Sequence, residues 1–194
     1  MEIGKYSKSD GKILIKLARE IIEKEFDKEK KVEAPSDARF KQARGIFVTL
    51  YNYPSKSLRG CIGLPYPSMS IRDAVVHSAK SAAFDDPRFT KLKKEEFKRI
   101  IIEISILTMP EEADSKNIEI GKDGLIGEYH GYSGLLLPQV AVEQGFDKIE
   151  FLECLCHKCG VQGDAWQNPN FKLKKFQGQI FSEKEPGGDV EERL

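Results

Sequence analysis

"GIFVTLYNYPSKSLRGCIGL", residues 45–64, decides how the chain is read. Gly45–Tyr53 is dense in β-branched and aromatic residues, which suit a pleated, half-buried surface. "PSKS" at 54–57 supplies turn chemistry, and Leu58–Leu64 then reads as the return strand of an antiparallel hairpin. Successive side chains of a strand point to opposite faces, so Leu58, Gly60 and Ile62 share one face and Arg59, Cys61 and Gly63 the other. The first set is core-like. The second places a guanidinium two residues from a thiol, which would favour thiolate and lower the cysteine pKa from about 8.5. Gly63 would leave space beside them for a ligand. The competing reading is structural, with Cys61 a small core residue and Arg59 covering apolar surface with its stem while its head reaches water.

Outward from this hairpin, the chain alternates helical and extended patterns. Ser9 or Asp10 can cap a first helix whose Ile13, Leu14, Leu17, Ala18, Ile21 and Ile22 fall on one stripe. The charged "DKEKKVEAPSDARF" reads as a solvated connector to the hairpin. Ser68 or Ser70 opens a second helix with Ile71, Ala74, Val75, Ser78, Ala79 and Ala82 on one face. "DDPRF" ends it, because Asp86 precedes a proline and is biased away from helix. "KRIIIEISILT" is a strand: Ile100, Ile102, Ile104 and Ile106 point one way, and Ile101, Glu103, Ser105 and Leu107 the other.

The second half repeats the plan. "GLIGEYHGYSGLLLP" is a hairpin turning near His130-Gly131, "PQVAVEQG" a short helix begun by Pro138, and "DKIEFLECLCHKC" a helix stopped by Gly160. "KFQGQIF" is one late strand, and the tail from residue 183 to 194, charged and rich in Gly and Pro, is expected to fray. Hairpin, helix and strand thus occur twice. The expected class is α+β, one domain over 1–194 divided into two subdomains near residues 1–110 and 111–185, with largely antiparallel sheets.

Composition bounds the function. Thirty-one basic residues balance thirty-one acidic ones, so no net field draws the chain to nucleic acid or anionic membrane, and nucleic acid is not an expected partner. "MEIGKYSKSDGK" lacks the apolar core of a signal peptide, and no apolar run approaches the roughly 18 residues of a membrane span. Three of the four cysteines cluster at Cys154, Cys156 and Cys159, a poor framework for secreted disulfides. A cytoplasmic protein with reduced thiols is expected, and abundant Lys and Glu with few Asn and Gln point to a heat-adapted source.

Other chemistry-bearing patterns weaken on inspection. In "CLCHKC", Cys156 and Cys159 share a helical face, but structural zinc needs four ligands and no second pair is spaced to complete the set. Redox Cys-x-x-Cys motifs sit at helix N-termini, whereas this pair precedes Gly160 at a C-terminus, where the dipole opposes thiolate. No metal and no cofactor is expected. His77 falls off the apolar stripe of its helix, and His130 and His157 have no spaced partners. Glycines 121, 124, 127, 131 and 134 precede no Gly-Lys-Ser/Thr and suit hairpin turns better than a phosphate loop.

Against this reading, the chain closely resembles the AMMECR family, named for a chromosomal region of Alport syndrome, midface hypoplasia and elliptocytosis. "LRGCIG" at 58–63 is the family's hallmark hexapeptide, and "DPRF" at 86–89, "EISILT" at 103–108 and "LLLPQVAVEQGF" at 135–146 are family-like. The likeness runs from about Ile46 to Trp166. Cys159 departs from it, standing where the family usually has a small residue such as alanine. The resemblance implies two α+β subdomains with a cleft between them and the hexapeptide near that cleft. It supplies no reaction. Some microbial relatives are fused to Memo-like domains or lie beside genes for radical-SAM enzymes, which implies by association an accessory role in a modification pathway.

Two functional readings follow. In one, an enzyme uses Cys61 as the catalytic residue with Arg59 and Glu103. In the other, Arg59 and Arg88 hold an anionic group of a small molecule or partner, and Cys61 packs. The balance falls toward binding, because no acid–base pair accompanies the thiol. The expected site comprises Arg59, Gly60, Cys61, Gly63, Asp86, Arg88, Glu103 and Ser105, with Arg59 and Glu103 ion-paired across one sheet face.

Overall fold

The first helix, α1 (Lys8–Phe26), starts at Ser7 rather than at Ser9 or Asp10. The Ser7 hydroxyl accepts the Asp10 amide at 3.2 Å while the Asp10 carboxylate accepts the Ser7 amide at 2.8 Å, so Asp10 closes the cap from inside the helix. Of the expected stripe, Leu14, Leu17, Ala18 and Ile22 are buried and Ile13 is exposed. The structure, a computed structural model, describes residues 5–193; Met1–Gly4, within the stretch expected to lack a signal peptide, and Leu194 lie outside the described residues.

The hairpin forms as expected from β1 (Gly45–Asn52) and β2 (Leu58–Leu64), followed by α2 (Ile71–Phe84), the short α3 (Lys94–Phe97) and β3 (Ile100–Leu107). Ser70 caps α2, its hydroxyl accepting the Asp73 amide. The chain then continues through β4 (Glu111–Glu112), β5 (Gly124–Tyr129), β6 (Tyr132–Leu136), α4 (Pro138–Gln144), α5 (Lys148–Lys158), β7 (Lys172–Phe176), β8 (Gly178–Glu183) and β9 (Val190–Arg193). The architecture is α+β with two antiparallel sheets. One is ordered β2-β1-β3-β8-β9, the other β4-β7-β5-β6.

The chain falls into two compact units, residues 1–107 with 179–193, and residues 108–178. The split near 110 therefore lacks one feature that the sequence did not disclose: the C-terminal residues return to the first unit. "KFQGQIF" is not one strand but two, broken at Gln177, with β7 in one sheet and β8 in the other. Nor do the described tail residues fray. Residues 184–189 make a turn, with the Lys184 amide donating to the Asp189 carbonyl, and β9 pairs with β8, burying Val190. Gly and Pro there serve a turn between strands, a role their presence alone cannot distinguish from disorder.

In the first unit, Ile46, Val48 and Leu50 of β1 stand beside Ile106, Ile104 and Ile102 of β3 and pack with α1 and α2 into one core. Phe47, Thr49, Tyr51, Cys61, Gly63, Glu103 and Ser105 alternate to the opposite sheet face. In the second unit, α5 contributes Phe151, Leu152, Leu155 and Cys156 to a core with Leu125 and Leu136. Hairpin, helix and strand give the same lateral order in both sheets, β2-β1-β3 and β6-β5-β7. No helix among the described residues is long and apolar enough to cross a membrane.

Candidate functional site

Cys61 sits on β2, an edge strand of its sheet, directly opposite Thr49 of β1, which in turn stands opposite Glu103 of β3. These three side chains form one row on the face away from the helices. The Thr49 hydroxyl donates to Cys61 Sγ at 3.3 Å. Glu103 is buried, its carboxylate accepting from Arg193 Nη1 at 2.8 Å and the Tyr51 hydroxyl at 3.5 Å. One row along, Phe47 stands between Gly63 and Ser105. The Ser105 hydroxyl is buried and has no hydrogen-bond partner among the described residues.

The outward amide and carbonyl of Cys61 have no neighbouring strand, and the "DPRF" loop supplies their partners. Asp86 Oδ2 accepts the Cys61 amide at 2.9 Å, and Arg88 Nη2 donates to the Cys61 carbonyl at 3.1 Å. Arg88 also grips Asp86, with Nη2–Oδ2 at 2.7 Å and Nε–Oδ1 at 3.0 Å. Asp86 is 4% exposed, and the Arg88 guanidinium, with the Cys61 amide beside it, holds the carboxyl well below the usual range, at about 2. Asp86 and Arg88 thus meet Cys61 through its backbone.

Arg59 departs from its expected place. The β1–β2 register shifts at Leu50/Tyr51, where Gly60 faces Leu50 but Leu58 faces Tyr51, leaving Arg59 as the extra residue of a bulge. Strict alternation fails there. Arg59 is buried and pairs not with Glu103 but with Glu96 of α3, Nε–Oε1 at 3.1 Å, while its Nη2 donates to the Thr90 carbonyl at 2.9 Å. The expected Arg59–Glu103 ion pair is replaced by two others, Arg59–Glu96 and Arg193–Glu103. The guanidinium that acts on the thiol belongs to Arg88. The Phe89 ring centroid is 5.8 Å from the Arg59 guanidinium and 5.5 Å from that of Arg88.

The glycines also read differently in three dimensions. A Cβ on Gly60 would lie 2.1 Å from the Ala82 carbonyl oxygen of α2, so glycine lets helix and strand approach. A Cβ on Gly63 would lie 2.4 Å from the Phe47 ring and equally close to the Ile46 carbonyl oxygen. The room expected for a ligand at Gly63 is filled by Phe47.

Burial pushes the Cys61 thiol above its ordinary pKa, against the lowering effects of the Thr49 hydroxyl and Arg88, while Asp86 and Glu103 add to the rise. The neutral thiol dominates at pH 7. Iodoacetamide should therefore label Cys61 at least about tenfold more slowly than a small free thiol at neutral pH, read by mass spectrometry against a Cys61→Ser control. Fast Cys61-specific labelling below about pH 7 would contradict this and restore the nucleophile.

Sequence reasoning missed Thr49, Phe47, Tyr51, Glu96 and Arg193 as neighbours of the expected residues. The register at the turn, Tyr51 beside Leu58, would set Thr49 opposite Gly60, and it is the bulge that moves it to Cys61. Glu96 and Arg193 carried no local signal. Cys156 of α5 and Cys159, its C-cap, are buried, and Cys159 Sγ donates to the Gly127 carbonyl at 3.4 Å. Among the described residues no group of three His, Cys, Asp or Glu side chains could hold a metal ion.

Comparison with known proteins gives this geometry its setting. Residues 15–181 match the family model described as AMMECR1. A protein of Thermofilum pendens is 39% identical over 99% of this chain and 98% of its own. Protein TV1384 of Thermoplasma volcanium is 43% identical over 92% of each chain. Among solved structures, the crystal structure of uncharacterized protein PH0010 from Pyrococcus horikoshii superposes with a TM-score of 0.89 at 41% identity, covering 94% of this chain and 96% of that one.

Proposed function

The chain belongs to the AMMECR1 family, and from that premise we propose that the Thr49–Cys61–Glu103–Ser105 face binds a small polar molecule without covalent use of the thiol. One observation carries the reading: the Ser105 hydroxyl is buried and unpartnered beside a row of buried polar side chains, on a sheet whose other face is almost wholly aliphatic. A buried polar group without a partner costs about 1–3 kcal/mol, so a fold that carries one gains by having it meet a ligand. Thr49, Cys61 and Ser105 supply weak donors and acceptors, and Glu103 is neutralised by Arg193, which suits an uncharged or weakly charged ligand. Arg59, spent on Glu96, is not its anion holder. Asp86 and Arg88 serve by fixing the backbone of Cys61, and Arg88 remains half exposed, able to meet a polar group of the ligand. An accessory role, holding a small molecule for a partner enzyme of the Memo-like or radical-SAM kind, is the setting this reading fits.

The test is ligand-observed NMR with a library of small polar fragments on the whole chain, compared with Ser105→Ala. Removing an unpaired buried hydroxyl should leave stability unchanged or raise it by up to about 1 kcal/mol while abolishing the binding of fragments that contact this face. Binding that survives Ser105→Ala and maps away from Thr49 and Cys61 would remove the face as a site.

A further inference from the structure

A concavity lies in the first unit, and no residue of the Cys61 face lines it. A cavity of about 400 Å³ is lined by Arg19, Glu23, Phe26 and Asp27 of the α1 C-terminal end, by Lys94, Phe97 and Lys98 around α3, and by Pro186 of the β8–β9 turn. We propose that it binds a small organic phosphate with a flat apolar body.

The argument starts from Arg19. Its Nε donates to Glu183 Oε1 at 2.8 Å, and its Nη2 donates to the Ile100 carbonyl at 2.7 Å and to the second Glu183 oxygen. The Glu183 side chain is 2% exposed and also accepts the Ile102 amide at 2.9 Å, so the carboxylate that holds the guanidinium is itself fixed to β3. The guanidinium lies 5.0 Å from the Phe97 ring centroid. It is thereby locked in two directions, and Nη1 is the nitrogen left without a hydrogen-bond partner among the described residues. A guanidinium oriented before binding loses little freedom when an anion arrives.

Two further cations complete the set. Lys94, the first residue of α3, and Lys98, its C-cap, line the same cavity and have no ion-pair partner among the described residues. The acidic lining groups are accounted for differently: Glu23 is engaged by Lys30, and Asp27 accepts the Glu29 amide. With Arg19 cancelled by Glu183 and Glu23 by Lys30, two lysines face one aspartate, leaving the cavity cationic. Arg19, Lys94 and Lys98 line one cavity, and cationic donors from three side chains suit the dianion and three terminal oxygens of a phosphate monoester better than a carboxylate. The floor is aromatic. The Phe26 and Phe97 rings stand 5.9 Å apart at 46°, a surface on which a planar group stacks or meets an edge. The volume falls toward the small end of the roughly 300–1,000 Å³ typical of ligand pockets, which excludes anything much larger than one ring and its phosphate.

The experiment titrates the full chain with phenyl phosphate, inorganic phosphate and benzoate by isothermal calorimetry at low ionic strength. Phenyl phosphate should bind saturably, and about fivefold or more tightly than either of the others, because it alone uses both the cations and the rings. Lys94→Ala with Lys98→Ala should weaken it by about tenfold or more at an unchanged melting temperature, since both side chains are exposed and unpaired. Absence of saturable phenyl phosphate binding, equal binding of benzoate, or unaltered affinity in the double variant would each overturn the proposal.

Discussion

Gly60→Ala should lower the melting temperature by roughly 10 °C, corresponding to about 3 kcal/mol lost from the first unit. A methyl group there would lie 2.1 Å from the Ala82 carbonyl oxygen, and 3.1 Å from the carbonyl carbon. Neither atom can swing away, because both belong to the last turn of α2, which Ala79, Ala82 and Ala83 seat against the sheet. Relief requires α2 to lift from β1 and β2, opening voids along a core of Val48, Leu50, Ala79 and Ile102. Gly163→Ala is the control: the nearest atom to its new methyl is 3.3 Å away at the tip of the His157 side chain, and it should cost less than about 1 kcal/mol. Thermal unfolding followed by circular dichroism separates the two. A Gly60→Ala protein melting within a degree or two of the parent would show that the helix yields freely and that Gly60 is dispensable to packing.

The second large effect concerns Asp86. Asp86→Ala removes the partner of the Cys61 amide and of the Arg88 guanidinium together, and should cost about 3 kcal/mol at neutral pH. Arg88→Ala should also be costly, because it strips the buried Asp86 carboxylate of its guanidinium, although the Cys61 and Arg88 backbone amides still donate to that carboxylate. The pH dependence has a definite sign. The folded carboxyl titrates at about 2, below its reference of 3.8, so its stabilisation is complete above the higher value and is lost as pH falls through the lower. Urea unfolding of the parent and of Asp86→Ala should therefore differ most above about pH 5 and converge toward about pH 2. A difference that stays constant over this window would mean that the ionised carboxylate is not the stabilising species.

How much of this was legible depended on whether the controlling information was local. The strand of residues 100–106, with isoleucines on one face, and the small-residue face of α2 are readable, because side-chain type alternates in consecutive residues even though both faces of that strand are buried. "LRGCIG" was readable as a strand and misleading as a pattern of faces: the bulge at Leu58–Gly60 resets alternation, and nothing in the six residues marks it. Alternation alone places Arg59 with Cys61 and Glu103, whereas its partner Glu96 lies 37 residues away on a four-residue helix. The pairing of Glu103 with Arg193 spans 90 residues and depends on a C-terminal strand expected to be loose. Ion pairs follow the path of the chain through space, and Lys and Glu are too abundant here for spacing to select among candidates.

The Asp86–Arg88 clasp on Cys61 bears on how molecules of this protein meet one another. An unpaired strand at the border of a sheet offers alternating N–H and C=O groups to any extended segment of a second chain, the first step toward ordered aggregates. At Cys61 both groups are already occupied by side chains of the same molecule, one anionic and one cationic. An incoming strand would have to displace a carboxylate and a guanidinium that also hold each other at 2.7 Å. The loop that shapes the candidate site is therefore also a guard against self-association at high concentration or temperature, and its charge makes that guard weakest in strong acid, where Asp86 takes up its proton.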